Sequence, residues 1–455
     1  MVQKIFKLWV LVMIFFGVAN AGTQVDPDLA LKMLNNQEKQ FEQQVVQITN
    51  NVFTAIGYHG ANTSMIVGDD GVIIVDTLMG PTSATNAFKA LRVYSDKPVK
   101  AIIYTHSHGD HTGGASVFAE DVDPEIFAMD HFGTIQGTDA AVNPIMIPRG
   151  IRQFGRQLSD NEATNRGLAP AKTIDHDRGQ GFLAPTFSIA SQGHKATIAG
   201  IDIEIYHGPG ETDDALFVWL PNEKVLFAGD NFYQAFPNLY TIRGTAYRNV
   251  LNWSESVAKM ADLHPEYLVP GHTLPIKGRD AATTALKAYS EAIRSVYDQT
   301  INGINEGKGP DLIAHEVELP AHLKDKPYLV EFYGTVPHAV RAIYTGLLGW
   351  FDGNPTTLNP LEPRAKAQKM AELAGGTAKL TQTMQGALQE GDFQWALELA
   401  DLIKWLDDGD KLLARQGKIK ALRGLGALEY NAPNRNYYFS YANELESGQL
   451  SEIWF

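Results

Sequence analysis

Between Thr105 and His111 the sequence reads Thr-His-Ser-His-Gly-Asp-His, which places three imidazoles and a carboxylate in the six positions His106 to His111. The segment follows the apolar run Ala101-Ile102-Ile103-Tyr104 and gives way to Gly113-Gly114. Alternate residues of an extended loop point the same way, so His106 and His108 can reach one ion. Asp110 and His111 then face a neighbouring position, and one loop can serve two metals. Imidazole nitrogen suits zinc, and a carboxylate oxygen can join the same shell. A solvated polar turn would account for the histidines alone, but not for the donors that follow downstream.

Three later segments each end a strand-like run in such a donor. His207-Gly208-Pro209-Gly210-Glu211-Thr212-Asp213-Asp214 follows Ile201 to Tyr206. Val225 to Gly229 ends in Asp230, a carboxylate able to bridge two ions, and Tyr267 to Gly271 ends in His272. Donors gathered from several strand ends, beside glycines that permit tight turns, are what a rigid dinuclear site requires. Asp76, after Val72 to Val75, is either a partner that orients a ligand histidine or a strand-end turn residue. Asp213 and Asp214 are read as strand-entry and supporting residues. His59, His131, His176, His194, His207, His264, His315, His322 and His338 are read as polar or packing residues.

The elements that must position these donors follow from hydropathy patterning. Val25 to Val45 predicts a helix. Short β-like runs at Ser64 to Val67 and Val72 to Val75 flank the turn Asp69-Asp70-Gly71. A helix over Thr82 to Val93 leads to the strand before the histidine motif. The stretch from Asp130 to Pro185, rich in Gly, Asn, Arg and Pro, shows no steady period, as expected of an insertion that walls a site. Strands resume at 196–199, 201–206, 216–220 and 224–228. Two β-rich halves with intervening helices predict an α/β fold.

Beyond Leu361 only helical periods remain, at 365–374, 377–389, 392–406 and 411–422, with Gly375-Gly376, Gly391 and Asp408-Gly409 between them. These fit antiparallel helix hairpins, one of which, from Gly391 to Ala396, looks like a tetratricopeptide-type unit. No catalytic spacing occurs there. Packing, dimerisation or shaping one side of the site is the expected task, and Trp350-Phe351 is expected to pack the junction between the two parts.

The 455 residues exceed one ordinary core, and the 44% hydrophobic content describes a globular chain. Lys4 and Lys7, the apolar core Leu8 to Val18 and the small residues Ala19-Asn20-Ala21 read as an export signal spanning 1–21. The apolar core is short for a membrane span, so no stable insertion is expected after signal removal, and the expected location is periplasmic or secreted. The absence of cysteine excludes disulfides and thiolate chemistry. Net charge is −14 and becomes −16 when Lys4 and Lys7 leave, which argues against a nucleic-acid partner.

Thr105 to His111, Gly208 to Thr212, Phe227 to Asp230 and Pro270 to His272 occur in the order and rough spacing of the metallo-β-lactamase superfamily, which they resemble. Most members read Pro-Gly-His-Thr where this chain has Pro209-Gly210-Glu211-Thr212. That glutamate resembles the alkyl sulfatase branch. So do Asn238 to Gly244, Phe332 to His338, Leu348 to Pro355 and Arg435 to Tyr438, giving a similarity from about Asn51 to Tyr441. Two departures accompany it. Asp230 stands where the branch usually has a glutamate, and the sequence ends at Phe455 without the sterol-carrier-like C-terminal domain of typical members.

The resemblance implies an αββα sandwich over 22–360 followed by an all-α domain over 361–455. It implies two Zn2+ ions, with His106, His108 and Glu211 on one, Asp110, His111 and His272 on the other, and Asp230 bridging. Asp110 also belongs to the implied catalytic group, with Asn238, Arg243 and Tyr333 as substrate contacts. Arg243 suits sulfate because its planar fork gives two parallel hydrogen bonds to an oxyanion. The implied activity is hydrolysis of an alkyl or small organic sulfate ester to alcohol and sulfate by a metal-activated water, in a homodimer. Hydrolysis of a phosphodiester, lactone or β-lactam on the same fold is the alternative. A non-catalytic binding module is a further class, disfavoured because no donor position is apolar. An electron-transfer di-iron site is disfavoured because it usually wants a glutamate at His108.

Overall fold

The structure is a computed structural model describing residues 23–133, 140–173 and 176–450. The export signal therefore lies outside the described residues. The first sheet has seven strands in sequential order: β1 (Gln44–Gln47), β2 (Val52–Ile56), β3 (Thr63–Val67), β4 (Val72–Val75), β5 (Val99–Ile103), β6 (Glu125–Met129) and β7 (Phe187–Ile189). Strands β1 to β4 run antiparallel through tight turns, whereas β4 to β7 pair in parallel. The parallel half needs crossovers, and the helix Pro81–Leu91 supplies the one between β4 and β5. The second sheet is built from β8 (His194–Ile198), β9 (Ile201–His207), β10 (Leu216–Leu220), β11 (Val225–Gly229), β12 (Tyr267–Pro270) and β13 (Ile276–Lys277), with order β13-β12-β11-β10-β9-β8.

The two sheets face each other. Ile73, Val75, Ile103 and Phe127 of the first sheet share one buried cluster with Ile205, Val218, Phe227 and Val269 of the second. The opposite faces are also covered. Val72, Ile74 and Ile102 pack with Ala84, Ala87 and Leu91 of the Pro81–Leu91 helix. Phe217, Trp219 and Leu226 pack with the helices Val250–Asp262, Arg279–Asn305 and Val336–Leu348. Strands buried on both faces become continuous apolar runs, which is why β4 and β11 carry no polar alternation. The result is the expected αββα sandwich followed by a helical region.

The helical region contains Pro363–Ala374, Thr377–Glu390, Phe393–Ile403, Lys411–Leu428 and Ala432–Ser447 around a separate core of Leu380, Met384, Leu399, Ile403 and Leu445. Gly375 and Gly391 terminate helices in the left-handed conformation, and Asp392 and Asp410 cap the next ones through the backbone N–H groups of Trp395 and Leu413.

Three expectations need correction. The N-terminal helix covers only Pro27–Gln37, followed by a short turn to Phe41 and then by β1, because the Gln/Glu-rich stretch read as its polar face includes an edge strand. The insertion after Asp130 contains the helix Asn143–Gln153. Trp350 does not pack a domain junction: it is 72% exposed, with its ring 5.7 Å from that of Phe351.

Candidate metal and substrate site

The donors converge at one end of the sandwich, where β4, β5, β9, β11 and β12 finish. Asp76, just past β4, adopts φ +60° and turns its carboxylate into the interior. It accepts from the backbone N–H and hydroxyl of Thr105, both at 2.8 Å, and from His111 Nδ1 at 2.7 Å. Fixing the His111 proton on Nδ1 leaves Nε2 facing the cluster. His272 is held in the same way, with Nδ1 donating to the carbonyls of Gly60 at 2.8 Å and Leu168 at 3.1 Å.

The inward-facing atoms crowd together. His106 Nε2 lies 2.9 Å from His108 Nδ1 and 3.7 Å from Asp230 Oδ2. His108 Nδ1 is 3.8 Å from Glu211 Oε1, and His111 Nε2 is 3.3 Å from Asp230 Oδ1. His272 Nε2 lies 3.2 Å from Asp230 Oδ2 and 3.6 Å from Asp110 Oδ2. Three sets of donor atoms fall within 4.8 Å of one another: His106/His111/Asp230, Asp110/His111/His272 and His108/Glu211/Asp230. All seven metal ligands named from the sequence therefore meet. Asp230 belongs to two of the sets, whereas His106 shares its set with His111 rather than with His108 and Glu211.

This donor set suits divalent cations. Glu211 Oε2, Asp230 Oδ1 and His111 Nε2 are buried without a hydrogen bond; the last two approach each other in unsuitable geometry. Leaving a buried polar atom unmatched costs about 1–3 kcal/mol each. Cations would satisfy all three, with nitrogen and oxygen donors appropriate to zinc. The electrostatics point the same way. Burial and the neighbouring His106 hold His108 well below the usual imidazole range. Burial would lower His272 too, but the Asp230 and Asp110 carboxylates together outweigh it and raise the group to about 9. Burial would raise Asp230, yet His111, His272 and His106 together keep it well below the usual carboxylate range.

Glu211 differs from the other acids of the cluster, Asp110 and Asp230, whose carboxyls are lowered. Burial pushes its carboxyl up to about 7, against the opposing pull of Arg248, whose Nη1 lies 2.9 Å from Glu211 Oε1. Arg248 also donates to the Asn238 carbonyl at 2.6 Å. Sequence reading missed Arg248, although it lies five positions beyond Arg243 in the same loop. Two glycines hold this geometry: a Cβ on Gly210 would overlap Asn231 Oδ1, and one on Gly271 would overlap Asp230 Oδ1.

A cavity of about 480 Å3 opens over the cluster, lined by His108, Asp110, Glu211, Asp230 and His272. Arg243 and Tyr333 also line it, as expected of substrate contacts. Asn238 is buried and is not among the residues that line it; its backbone N–H donates to Tyr233 Oη at 2.7 Å. Helix Asn143–Gln153 positions Arg243, since buried Gln153 Oε1 accepts from the Arg243 backbone N–H at 2.8 Å and from the Thr241 hydroxyl at 2.8 Å. Burial, then Glu211, raises the Tyr333 hydroxyl above the usual phenol range, so it remains a donor. His59, read as a packing residue, also lines the cavity, while His207 donates to or accepts from nothing in the cluster and sits 2.8 Å from the Asp213 carbonyl. Asp214 accepts from the Gly133 backbone N–H at 2.8 Å, beside the metal loop.

Residues 56–272 match the family model of the metallo-beta-lactamase superfamily, and residues 309–448 match that of alkyl sulfatase dimerisation. A linear primary-alkylsulfatase from Pseudomonas sp. is 36% identical over 392 residues, covering 84% of this chain and 73% of that protein. An alkyl/aryl-sulfatase from Saccharomyces cerevisiae is 29% identical, covering 88% of this chain and 64% of that protein. Among solved structures, the stereoselective inverting sec-alkylsulfatase Pisa1 from Pseudomonas sp. matches with a TM-score of 0.81 at 26% identity, covering 94% of this chain and 73% of that one.

Proposed function

The chain belongs to the alkylsulfatase family of the metallo-β-lactamase superfamily, and from that premise we propose that it hydrolyses an alkyl or small organic sulfate ester with two bound Zn2+ ions. The balanced reaction is R–O–SO3− + H2O → R–OH + HSO4−. The observation that carries the reading is the sharing of one cavity by Arg243 and the His/Asp/Glu cluster. Bound zinc would lower the pKa of a coordinated water towards neutrality and so supply a nucleophile. His106, His108, Asp110, His111, Glu211, Asp230 and His272 would hold the ions. Arg243 would take the sulfate oxygens through its fork and offset charge on the departing sulfate, with Tyr333 as a second donor. Met79, Ile151, Phe154 and Leu168 provide an apolar surface for the organic group.

The test is release of inorganic sulfate from alkyl sulfates of graded length by protein whose zinc content has been measured. No release from any of them by two-zinc protein refutes the proposal. Turnover of lactams or phosphodiesters that survives Arg243→Ala would instead favour another ester or amide. We also propose a homodimer formed through the 309–448 region, testable by light scattering, and a periplasmic or secreted location, testable by N-terminal sequencing of protein recovered from cell fractions. No helix of the described residues is long and apolar enough to cross a membrane.

A further inference from the structure

The cavity carries more positive charge than one sulfate ester uses. Besides Arg243, its lining includes Arg156, Arg166 and Arg178. The carboxylates that line it are Asp110, Glu211 and Asp230, and each belongs to a donor set of the cluster. Acids shared with bound cations offset nearby guanidinium groups less, and Glu211 is already paired with Arg248, which does not line the cavity. This surplus stands against the strongly acidic chain as a whole, with 52 Asp and Glu to 38 Lys and Arg.

Two of these arginines lack the partners that a structural arginine usually has. Arg156 Nε is buried with no hydrogen-bond partner, and its guanidinium lies 5.4 Å from the centre of the Phe154 ring, itself part of the apolar wall. Arg178 lines the same cavity and makes no ion pair among the described residues; the acid whose charge reaches it is Asp110, which belongs to a donor set of the cluster. A half-buried guanidinium with no acid of its own is well placed to receive an anion supplied by a ligand. Arg156 and Arg178 come from the insertion between β6 and β7, whereas the metal donors and Arg243 come from elsewhere in the chain.

Building on the sulfatase reading, we infer that the preferred substrate is a dianion: an organic sulfate ester bearing a second anionic group, which Arg156 and Arg178 bind while Arg243 takes the ester sulfate. The shared chemistry is a carboxylate, sulfonate or second sulfate a few carbons from the ester oxygen. Met79, Ile151 and Leu168 accommodate the carbons between the two charges.

The test has a kinetic and a binding arm on the zinc-loaded full chain. Hexyl sulfate is compared with 6-(sulfooxy)hexanoate by sulfate release, and 1-hexanesulfonate with 1,6-hexanedisulfonate by calorimetric titration. A charge-assisted guanidinium contact predicts a preference of about tenfold or more for the dianion in both arms. Arg156→Gln and Arg178→Gln should each shrink that ratio towards one, read as a ratio so that altered folding or zinc content cancels. Equal or weaker handling of the dianion by the wild-type protein overturns the inference without any variant. So does a ratio unchanged in both variants. Tighter disulfonate binding without turnover of any ester would support a second anion subsite at Arg156 and Arg178 while refuting both the sulfatase reading and the dianionic ester as substrate.

Discussion

Replacing Arg248 with glutamine tests whether Glu211 is kept ionised by a single neighbour. Arg248 Nη1 sits 2.9 Å from Glu211 Oε1, the two side chains being 3% and 5% exposed, so solvent screens the pair little. With Arg248 present, burial already holds the Glu211 carboxyl at about 7. An arginine at this range typically lowers a carboxyl by ~1–3 units, so its loss drives Glu211 further up. A carboxylate must shed its proton to ligate, and each unit costs about 1.4 kcal/mol of metal affinity near pH 7. The expected result is zinc binding at pH 7 weakened by roughly 10–100-fold, the range found for partners of metal ligands. Competition against a chromophoric chelator at pH 7 and pH 9 measures the effect. Because the raised carboxyl ionises as pH rises, the gap from wild type should narrow at pH 9. Wild-type affinity at pH 7, or an equal gap at both pH values, refutes the argument.

Asp76→Ala removes the acceptor of His111 Nδ1 and Thr105, so zinc affinity should fall roughly 10–100-fold and stability by about 2 kcal/mol, read by chelator competition and urea midpoint. Gly271→Ala should strip zinc, because its Cβ displaces Asp230 Oδ1. The control Gly386→Ala, on a helix where a Cβ meets nothing, should leave zinc content unchanged and gain roughly 0.5–1 kcal/mol. Glu331 concerns pH. Burial raises its carboxyl to about 7, with Glu429 adding to the rise, so its contribution to stability is complete below the ordinary glutamate range and is lost as pH climbs through 7. Glu331→Gln should therefore gain ~1–3 kcal/mol over wild type at pH 8.5 relative to pH 4.5, the lower end reflecting its partial exposure. Equal slopes of melting temperature against pH in the two proteins would refute that account.

The donor residues were legible because metal ligation demands particular side chains at strand ends, and glycine-flanked apolar runs announce those ends. The sandwich was legible for a related reason: strands buried on both faces leave uninterrupted runs such as Val72 to Val75. Edge strand β1 was not legible, since Gln44 and Gln47 flank only Val45 and Val46, and pairing with β2 rather than composition makes it a strand. The pairing of Glu211 with Arg248 also escaped notice. It joins residues 37 positions apart, with a relation that no local period encodes. Asn238 was named for a residue type that suits an anion; what no local pattern encodes is its burial to 3% exposure, outside the residues that line the cavity.

The site divides into two layers of different origin. The metal donors sit at the ends of strands locked between two cores, where Asp76, Gly60 and Leu168 fix the imidazoles. The opposing wall, with Ile147, Ile151, Phe154 and Arg156, belongs to the insertion, and its helix Asn143–Gln153 packs on the helix Ala432–Ser447. Arg152 binds Glu444 at 2.8 Å across that contact, and Glu162 binds Arg423 at 2.9 Å. The helical region thus braces the cavity wall although it donates nothing to the cluster of candidate metal ligands. Gln153 links the layers, because the helix end that meets Ala432–Ser447 also holds the backbone of Arg243. Changes in the insertion can therefore alter which ester is bound while the strand-end donors stay in place, and loosening the helical brace should disturb Arg243 before it disturbs the metals.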